Sequence, residues 1–347
     1  LSKSLHCLDV SMKAWLLEKQ SKMEKRPLKL ADVPKPLPDN QEIRVKVQVC
    51  GICRTDIHVA EGDLPLKKSP LILGHEIVGI VDKKGERVTK FKSGDPVGIS
   101  WLYSTCGKCE YCLKGKENYC QDFQCTGWDA DGGFAEYVTI KEDFALSMRG
   151  LTMEPEDMAP LLCPGIAGYC ALKLTEADRG DKLGLFGFGP TAYYVLKAAN
   201  YLGIEVYVST RSSIHKEEAR RNGAVWVGNV IEEKIPVRLD SAILFPPSGS
   251  LVEPALTHVE IGGILVLAPV SMSTIEIRNY SDNLWGRDVR TLYNVNRADA
   301  KEFLKIAGET DMRMGRRVYP LEELQDAMIQ VKKGQRKEPN AVIKIFQ

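Results

Sequence analysis

The chain has almost no net charge: 47 basic against 46 acidic side chains leave +1 at neutral pH over 347 residues. That balance offers no field to nucleic acid or to an anionic membrane, so neither is expected as a partner. No apolar run reaches the ~18 residues that a membrane-spanning helix requires. Residues Leu1 to Ser11 lack the apolar stretch of a secretory signal and read as an extension upstream of the first strand. There is no internal repeat and no low-complexity tract. What is present is an ordinary globular mixture, 44% hydrophobic and 27% charged. The chain is too long for one typical core, so two domains are expected.

Cysteine is plentiful, with ten residues. In a long chain without a signal, clustered cysteines point to metal rather than to disulfides, and a reducing cytoplasm suits them. Cys106, Cys109 and Cys112 are each separated by two residues, and Cys120 follows seven further on. Four thiolates so spaced can wrap one tetrahedral ion, and such a site is closed, hence structural. An iron–sulfur cluster or metal-free surface cysteines are the alternatives. Lys108, Lys114 and Lys116 would offset the negative charge of the thiolates.

A second group is looser. Cys53 and His75 are a soft thiolate and an imidazole, both good zinc ligands. Thr55 and His58 stand two and five residues beyond Cys53, near enough to hand a proton from a metal site to water. On spacing alone, two unrelated core residues are the simpler reading, and Cys163 alone reads as a small buried hydrophobe.

The texture changes along the chain. Up to Val138 it is strand-like and broken by prolines, with Ile43 to Val49 alternating apolar and polar residues and Ile77–Val81 and Asp95–Ile99 as further strands. This part reads as an all-β, partly open barrel. From Asp181 strands and helices alternate. Lys182–Phe186 reads as a strand, Tyr193–Leu202 as a helix and Glu205–Ser209 as the next strand. The corner between the first two carries Gly187, Gly189 and Ala192 as G-x-G-x-x-A. Such a corner brings backbone N–H groups to a pyrophosphate at a helix N-terminus, although a plain tight turn has the same sequence. After the second strand an acid is missing. NAD-binding folds usually place Asp or Glu there for the ribose 2′-hydroxyl. Here Ser209, Thr210 and Arg211 stand instead, with no acid before Glu217. Two hydroxyls and a guanidinium suit a 2′-phosphate, so NADP is favoured over NAD. The alternative is that Arg211 only stacks on adenine.

With Gly74-His75-Glu76 followed by Gly79, Gly85 and Val88, and with the four-cysteine lobe and the Gly187 turn in that order, the chain resembles the zinc-dependent alcohol dehydrogenases of the medium-chain dehydrogenase/reductase family. The resemblance covers Met12 to the C-terminus. It implies an α/β chain with a GroES-like β-rich catalytic domain, residues 12–164 and 297–347, and an inserted Rossmann domain with a doubly wound parallel sheet, residues 165–296. It implies two Zn2+ per chain. Cys53, His75 and Cys163 would hold the catalytic ion, with Glu76 in its outer sphere or as a transient ligand. Cys106, Cys109, Cys112 and Cys120 would hold the structural one. Asp56 would orient His75, Thr55 would take the first proton, His58 would relay it, and Trp101 would line the substrate pocket. Arg54, alone or with Arg336, would meet the pyrophosphate where Asn340 replaces the arginine common in relatives. The implied reaction is reversible hydride transfer between an alcohol and a nicotinamide cofactor. An NADPH-dependent aldehyde reductase and a non-catalytic zinc-stabilised binding protein of the same fold are the alternatives. A homodimer or homotetramer is expected, pairing through the edge stretch Val289 to Val295.

Overall fold

The computed structural model describes residues 10–334 and 337–346. Cys7 and Arg336 lie outside the described residues. The chain divides into two compact units, one of residues up to Cys163 together with those from Arg313 onward, the other Pro164–Met312.

The first unit opens with β1 (Ser11–Leu17), β2 (Leu28–Pro34) and β3 (Glu42–Gly51). The first strand therefore begins one residue inside the expected extension. In β3 the residues Ile43, Val45, Val47 and Val49 are buried, as the alternating pattern requires. Helix α1 (Arg54–Glu61) follows at once, so the unit is not all-β. Its sequence, with three charged residues and a histidine in eight, hides a helix start that side-chain capping makes plain. Next come β4 (Leu71–Ile72), β5 (Glu76–Lys84), β6 (Pro96–Ile99), β7 (Leu102–Ser104), helix α2 (Glu110–Leu113), β8 (Gln124–Cys125), β9 (Tyr137–Lys141), β10 (Leu146–Ser147) and α3 (Pro155–Met158). The expected strand at Gly132–Val138 starts only at Tyr137.

The second unit begins with α4 (Pro164–Leu174), β11 (Lys182–Phe186), α5 (Pro190–Leu202) and β12 (Glu205–Ser209), followed by α6 (Ser213–Arg221), β13 (Trp226–Gly228) and β14 (Leu239–Leu244). After α7 (Val252–Leu256) and β15 (Val259–Leu267) come α8 (Tyr280–Asn283), β16 (Asp288–Thr291) and α9 (Arg297–Glu309). Its six strands run in the order β13-β12-β11-β14-β15-β16, all parallel, which is the doubly wound arrangement. Helix α9 packs on α4 through Phe303 against Tyr169, with ring centroids 5.8 Å apart. The expected boundary at Arg297 thus cuts into this unit's own helix layer, and the chain leaves the unit only after Met312.

The returning segment adds β17 (Arg316–Pro320), α10 (Leu324–Lys333) and β18 (Asn340–Lys344) to the first unit. Its larger sheet runs β10-β6-β5-β3-β18-β17, with β9 also paired to β3, and a smaller sheet runs β2-β1-β4. Among the described residues no helix is long and apolar enough to cross a membrane.

Candidate active site

Strand register assembles the first centre. Antiparallel pairing of β3 with β5 sets Cys50 opposite Ile77 and Gly51 opposite Glu76. The chain leaving β3 therefore reaches Cys53 beside His75 and Glu76. Gly51 must lack a side chain, since a Cβ there would lie 1.9 Å from a Glu76 carboxylate oxygen. Cys163 arrives from the other direction, at the end of a 3-10 turn (Ala159–Leu162) whose four residues are all buried. Donor atoms of Cys53, His75, Glu76 and Cys163 all lie within 4.8 Å of one another.

Asp56 ties this centre to helix α1. One carboxylate oxygen accepts from the backbone N–H of Cys53 at 2.8 Å, capping the helix. The other lies 3.0 Å from His75 Nδ1 and accepts from Gly74 N–H at 3.2 Å. Nδ1 must carry the proton, because an ionised carboxylate only accepts, and Nε2 is left to bind a cation. Asp56 and His75 are each 1% exposed. Thr55 N–H points to Cys53 Sγ at 3.5 Å, and its hydroxyl oxygen lies 3.6 Å from that sulfur.

The electrostatics suit a cation. The Cys163 thiol donates to Cys53 across 3.6 Å, and this contact, with the His75 ring close by, holds Cys53 well below the usual thiol range despite its burial. Cys163, donor to that thiolate and half-buried, is pushed well up. Burial works against a charged His75, but the Asp56 carboxylate outweighs it and holds the imidazole well above its ordinary value. Burial, then the Cys53 thiolate, pushes Glu76 up. These donors fit zinc: a tetrahedral ion bound by thiolates at about 2.3 Å spaces them about 3.8 Å apart, close to the sulfur separation here.

The second centre is local. Donor atoms of Cys106, Cys109, Cys112 and Cys120 lie within 4.8 Å of one another, with Cys106 Sγ 3.6 Å from Cys120 Sγ and 4.0 Å from Cys112 Sγ. Four soft donors at tetrahedral spacing fit a closed zinc site. Backbone N–H groups of Lys108 and Cys109 bring Cys106 down to about 6, whereas burial pushes Cys120 up to about 12. The thiolate charge is met by the backbone first. Lys114, expected to share that task, is paired with Glu110 at 3.1 Å.

Two aromatic residues stand by the first centre. The Trp101 ring meets His75 edge-on at 4.9 Å, and Trp128 stacks on Trp101 at 6.1 Å. Trp128 was not expected, since it belongs to no recognised motif although it stands only eight residues beyond Cys120. His58 lies on α1 with Nδ1 2.7 Å from Asp63, which stands just past the Gly62 cap in the turn that ends the helix. Arg54 is exposed, with one guanidinium N–H on the carbonyl of Lys332 at 3.3 Å.

In the second unit, Gly187 sits at φ 85°, a left-handed conformation in which a Cβ would also press on Pro246 at 2.7 Å. Around Gly189 a Cβ would meet nothing within 4 Å, so the protein leaves open space there. Ala192 is buried in the first turn of α5. The Ser209 hydroxyl accepts from Val230 N–H at 3.2 Å, Thr210 is buried and Arg211 is exposed. His215, in the first turn of α6, reaches the Gly187 turn through Phe188 at 6.4 Å. The polar α6 carried no apolar period to announce it. Asn340 is buried and turned to the Gly315 carbonyl at 3.4 Å, a structural contact.

Residues 39–150 match the alcohol dehydrogenase GroES-like domain. Joined to a six-stranded parallel Rossmann sheet, that domain defines an oxidoreductase of the medium-chain type. A probable alcohol dehydrogenase of Mycobacterium tuberculosis is 40% identical over 324 residues, covering 92% of this chain and 93% of its own. The chain belongs to the alcohol dehydrogenases of the medium-chain dehydrogenase/reductase family, whose general activity is reversible hydride transfer between an alcohol and a nicotinamide cofactor. Among solved structures, the CAD of Helicobacter pylori complexed with NADP(H) is 25% identical with a TM-score of 0.83, covering 96% of this chain and 98% of its own. The cobalt- and zinc-bound thermostable alcohol dehydrogenase of Pyrobaculum aerophilum is likewise 25% identical at a TM-score of 0.83, covering 96% of this chain and all of its own.

Proposed function

We propose that this chain is an NADP-preferring zinc alcohol dehydrogenase acting on small alcohols and aldehydes. The observation that carries the reading is the convergence of Cys53, His75 and Cys163 around one point, with the Thr55 hydroxyl beside them. Three protein donors leave one position of a tetrahedral ion for substrate. Zinc bound there supplies the Lewis acidity that makes a substrate hydroxyl acidic. Asp56 orients the His75 ring, and Glu76 stands ready as a further donor. Thr55 accepts the hydroxyl proton at Oγ as its own proton moves on to His58 and from there to water. Trp101 forms an apolar wall of the substrate site. The four-cysteine lobe holds a second zinc with a structural role.

The cofactor is held by the Gly187–Gly189 turn at the N-terminus of α5, with Ala192 closing the first helical turn. Thr210 and Arg211 contact the adenosine 2′-phosphate. Ser209 accepts from Val230 N–H and keeps its own O–H to donate to the same phosphate. A reducing compartment such as the cytoplasm keeps the ligand thiols available. Two copies pair through β16, the edge strand of the parallel sheet. The pairing stretch is shorter than the alternation implied, since the strand ends at Thr291 and Val295 is buried. Light scattering giving a monomer mass at micromolar concentration would remove this element.

Initial rates on a panel of primary alcohols and aldehydes, with NADP and NAD in turn, test the whole. A charged hydrogen bond to phosphate is worth roughly 1.5–3 kcal/mol, about ten- to more than a hundredfold in affinity. Arg211→Ala should therefore lower kcat/KM for NADP by about that factor and leave NAD nearly unchanged. Parallel losses for both cofactors would show an arginine that only packs on adenine. An absence of turnover on every alcohol and aldehyde in the panel would favour the non-catalytic binding protein.

A further inference from the structure

Helix α1 ends in a turn more tightly organised than its exposed position requires. Gly62 closes the helix at φ 93°, and both its N–H and that of Leu64 bond to the His58 carbonyl, at 3.1 and 3.3 Å. The turn is thereby wrapped about His58's own backbone. From the first β1–β2 loop, the Gln20 amide donates to the carbonyls of Val59 at 2.6 Å and Leu64 at 2.7 Å, pinning the two arms of the turn together. Between those arms stands Asp63, whose carboxylate lies 2.7 Å from His58 Nδ1.

The pair is open to solvent, with side chains 44% and 57% exposed. An exposed ion pair of this kind is worth little to stability, so the ordering of the turn calls for another use. A carboxylate only accepts hydrogen bonds, so the ring nitrogen facing it carries the proton, and the other nitrogen of the neutral ring becomes the acceptor. His58 lies three residues from Thr55 on α1, a spacing that puts both on one helix face.

We propose that Asp63 is a positioning residue for proton release, holding His58 as the Nδ1–H tautomer so that Nε2 receives the proton coming from Thr55. The proposal rests on the relay role given to His58 above. The other charges near this helix are otherwise engaged. Arg54 bonds the Lys332 carbonyl, Lys332 bonds Glu24 and Glu61 at 2.8 Å each, Lys22 reaches Glu61 at 3.4 Å, Arg26 pairs with Asp326 and Asp56 caps the helix. Asp63 is the one carboxylate recorded on the His58 ring among the described residues.

The test compares the zinc-loaded wild type with Asp63→Asn, Asp63→Ala and His58→Gln. With only five histidines in the chain, side-chain 15N spectra can be assigned by the disappearance of one ring in His58→Gln. The wild-type neutral ring should show the Nδ1–H tautomer. Asparagine keeps an acceptor oxygen and should keep the tautomer and the high-pH plateau. Alanine should lose the tautomer and lower the plateau by about tenfold, part of the 10²–10⁴-fold that positioned proton transfer contributes. Zinc content should be unchanged throughout. If His58→Gln turns over as fast as wild type at every pH, the relay reading fails and the proposal with it. If His58→Gln is impaired while Asp63→Ala keeps the wild-type tautomer and plateau, the proposal alone is overturned.

Discussion

The two cysteine-rich centres reach similar donor spacings by opposite routes. The lobe draws all four ligands from the single stretch Cys106–Cys120, and its helix α2 has no buried residue. The other centre joins Cys53 to Cys163 across 110 positions of sequence and depends on the register of β3 against β5. The lobe is therefore a local turn that a bound ion can hold together, since metal binding there is itself folding free energy. The buried centre is a product of the finished sheet. One should behave as a staple, the other as a consequence of folding that chemistry can use.

The largest effect should come from breaking the buried centre. Cys53→Ser is expected to remove one of two zinc ions by elemental analysis and to abolish turnover, while the other ion stays and the fold persists. Retention of both ions with normal rates would show that Cys53 is no ligand. The matching change in the lobe, Cys109→Ala, should cost thermal stability instead. A melting temperature lowered by several degrees, with kcat nearly kept in the fraction that remains folded, would establish the contrast. Selective loss of catalysis at unchanged stability would erase it.

A subtler change separates donor from support. Asp56→Asn keeps the shape of the side chain but weakens both the helix cap and the hold on His75. Loss of an outer partner of this kind typically lowers metal affinity 10–100-fold, so competition with a chelator should empty the buried centre and spare the lobe. Simultaneous release from both sites would mean that the two centres are not independent.

The smallest effect concerns pH. Burial disfavours a charged Glu61, but its bonds to Lys332, to the Met23 N–H and to Lys22 together outweigh this and hold the carboxyl below its usual value. A folded pKa below the unfolded one stabilises the fold above the unfolded value of about 4.3, and that contribution fades as pH falls through the folded value. Glu61→Gln should thus cost up to about 1 kcal/mol at neutral pH. Denaturation curves of variant and wild type should converge only once pH has fallen through that lowered folded value. A gap that stays constant into acid would show that the charge of Glu61 contributes nothing. Because Glu61 closes the helix that Cys53 begins, chelator release from the buried centre should track this loss while the lobe does not.

What could be read in the sequence follows the same division. The lobe and the Gly187 turn were legible because their residues lie within one short stretch, where spacing alone constrains geometry. β11 and β12 fell at their expected limits because each is a short apolar run between turn residues. Cys53, His75 and Cys163 became a set only through family resemblance, since no spacing rule connects residues joined by strand register. Helices α1 and α6 escaped because both are polar and start from caps, Cys53 and Ser212, rather than from an apolar stripe. Missing α6 meant missing His215, and Asp63 escaped because it stands in the turn beyond the Gly62 cap, at no helical spacing from His58. The Arg297 boundary failed because a helix packed on the Rossmann side looks, in sequence, like any amphipathic helix.

Asp56 has a consequence for how this chain can change over generations. One of its oxygens begins a helix and the other steers a ligand, so no replacement can relax one task and leave the other intact. A survey of variants selected only for remaining folded and another selected only for turnover should both reject substitutions here. At the four lobe cysteines the first survey should be the stricter one, and at Thr55 the second. Position 56 is where tolerance to drift and tolerance to loss of chemistry become the same quantity.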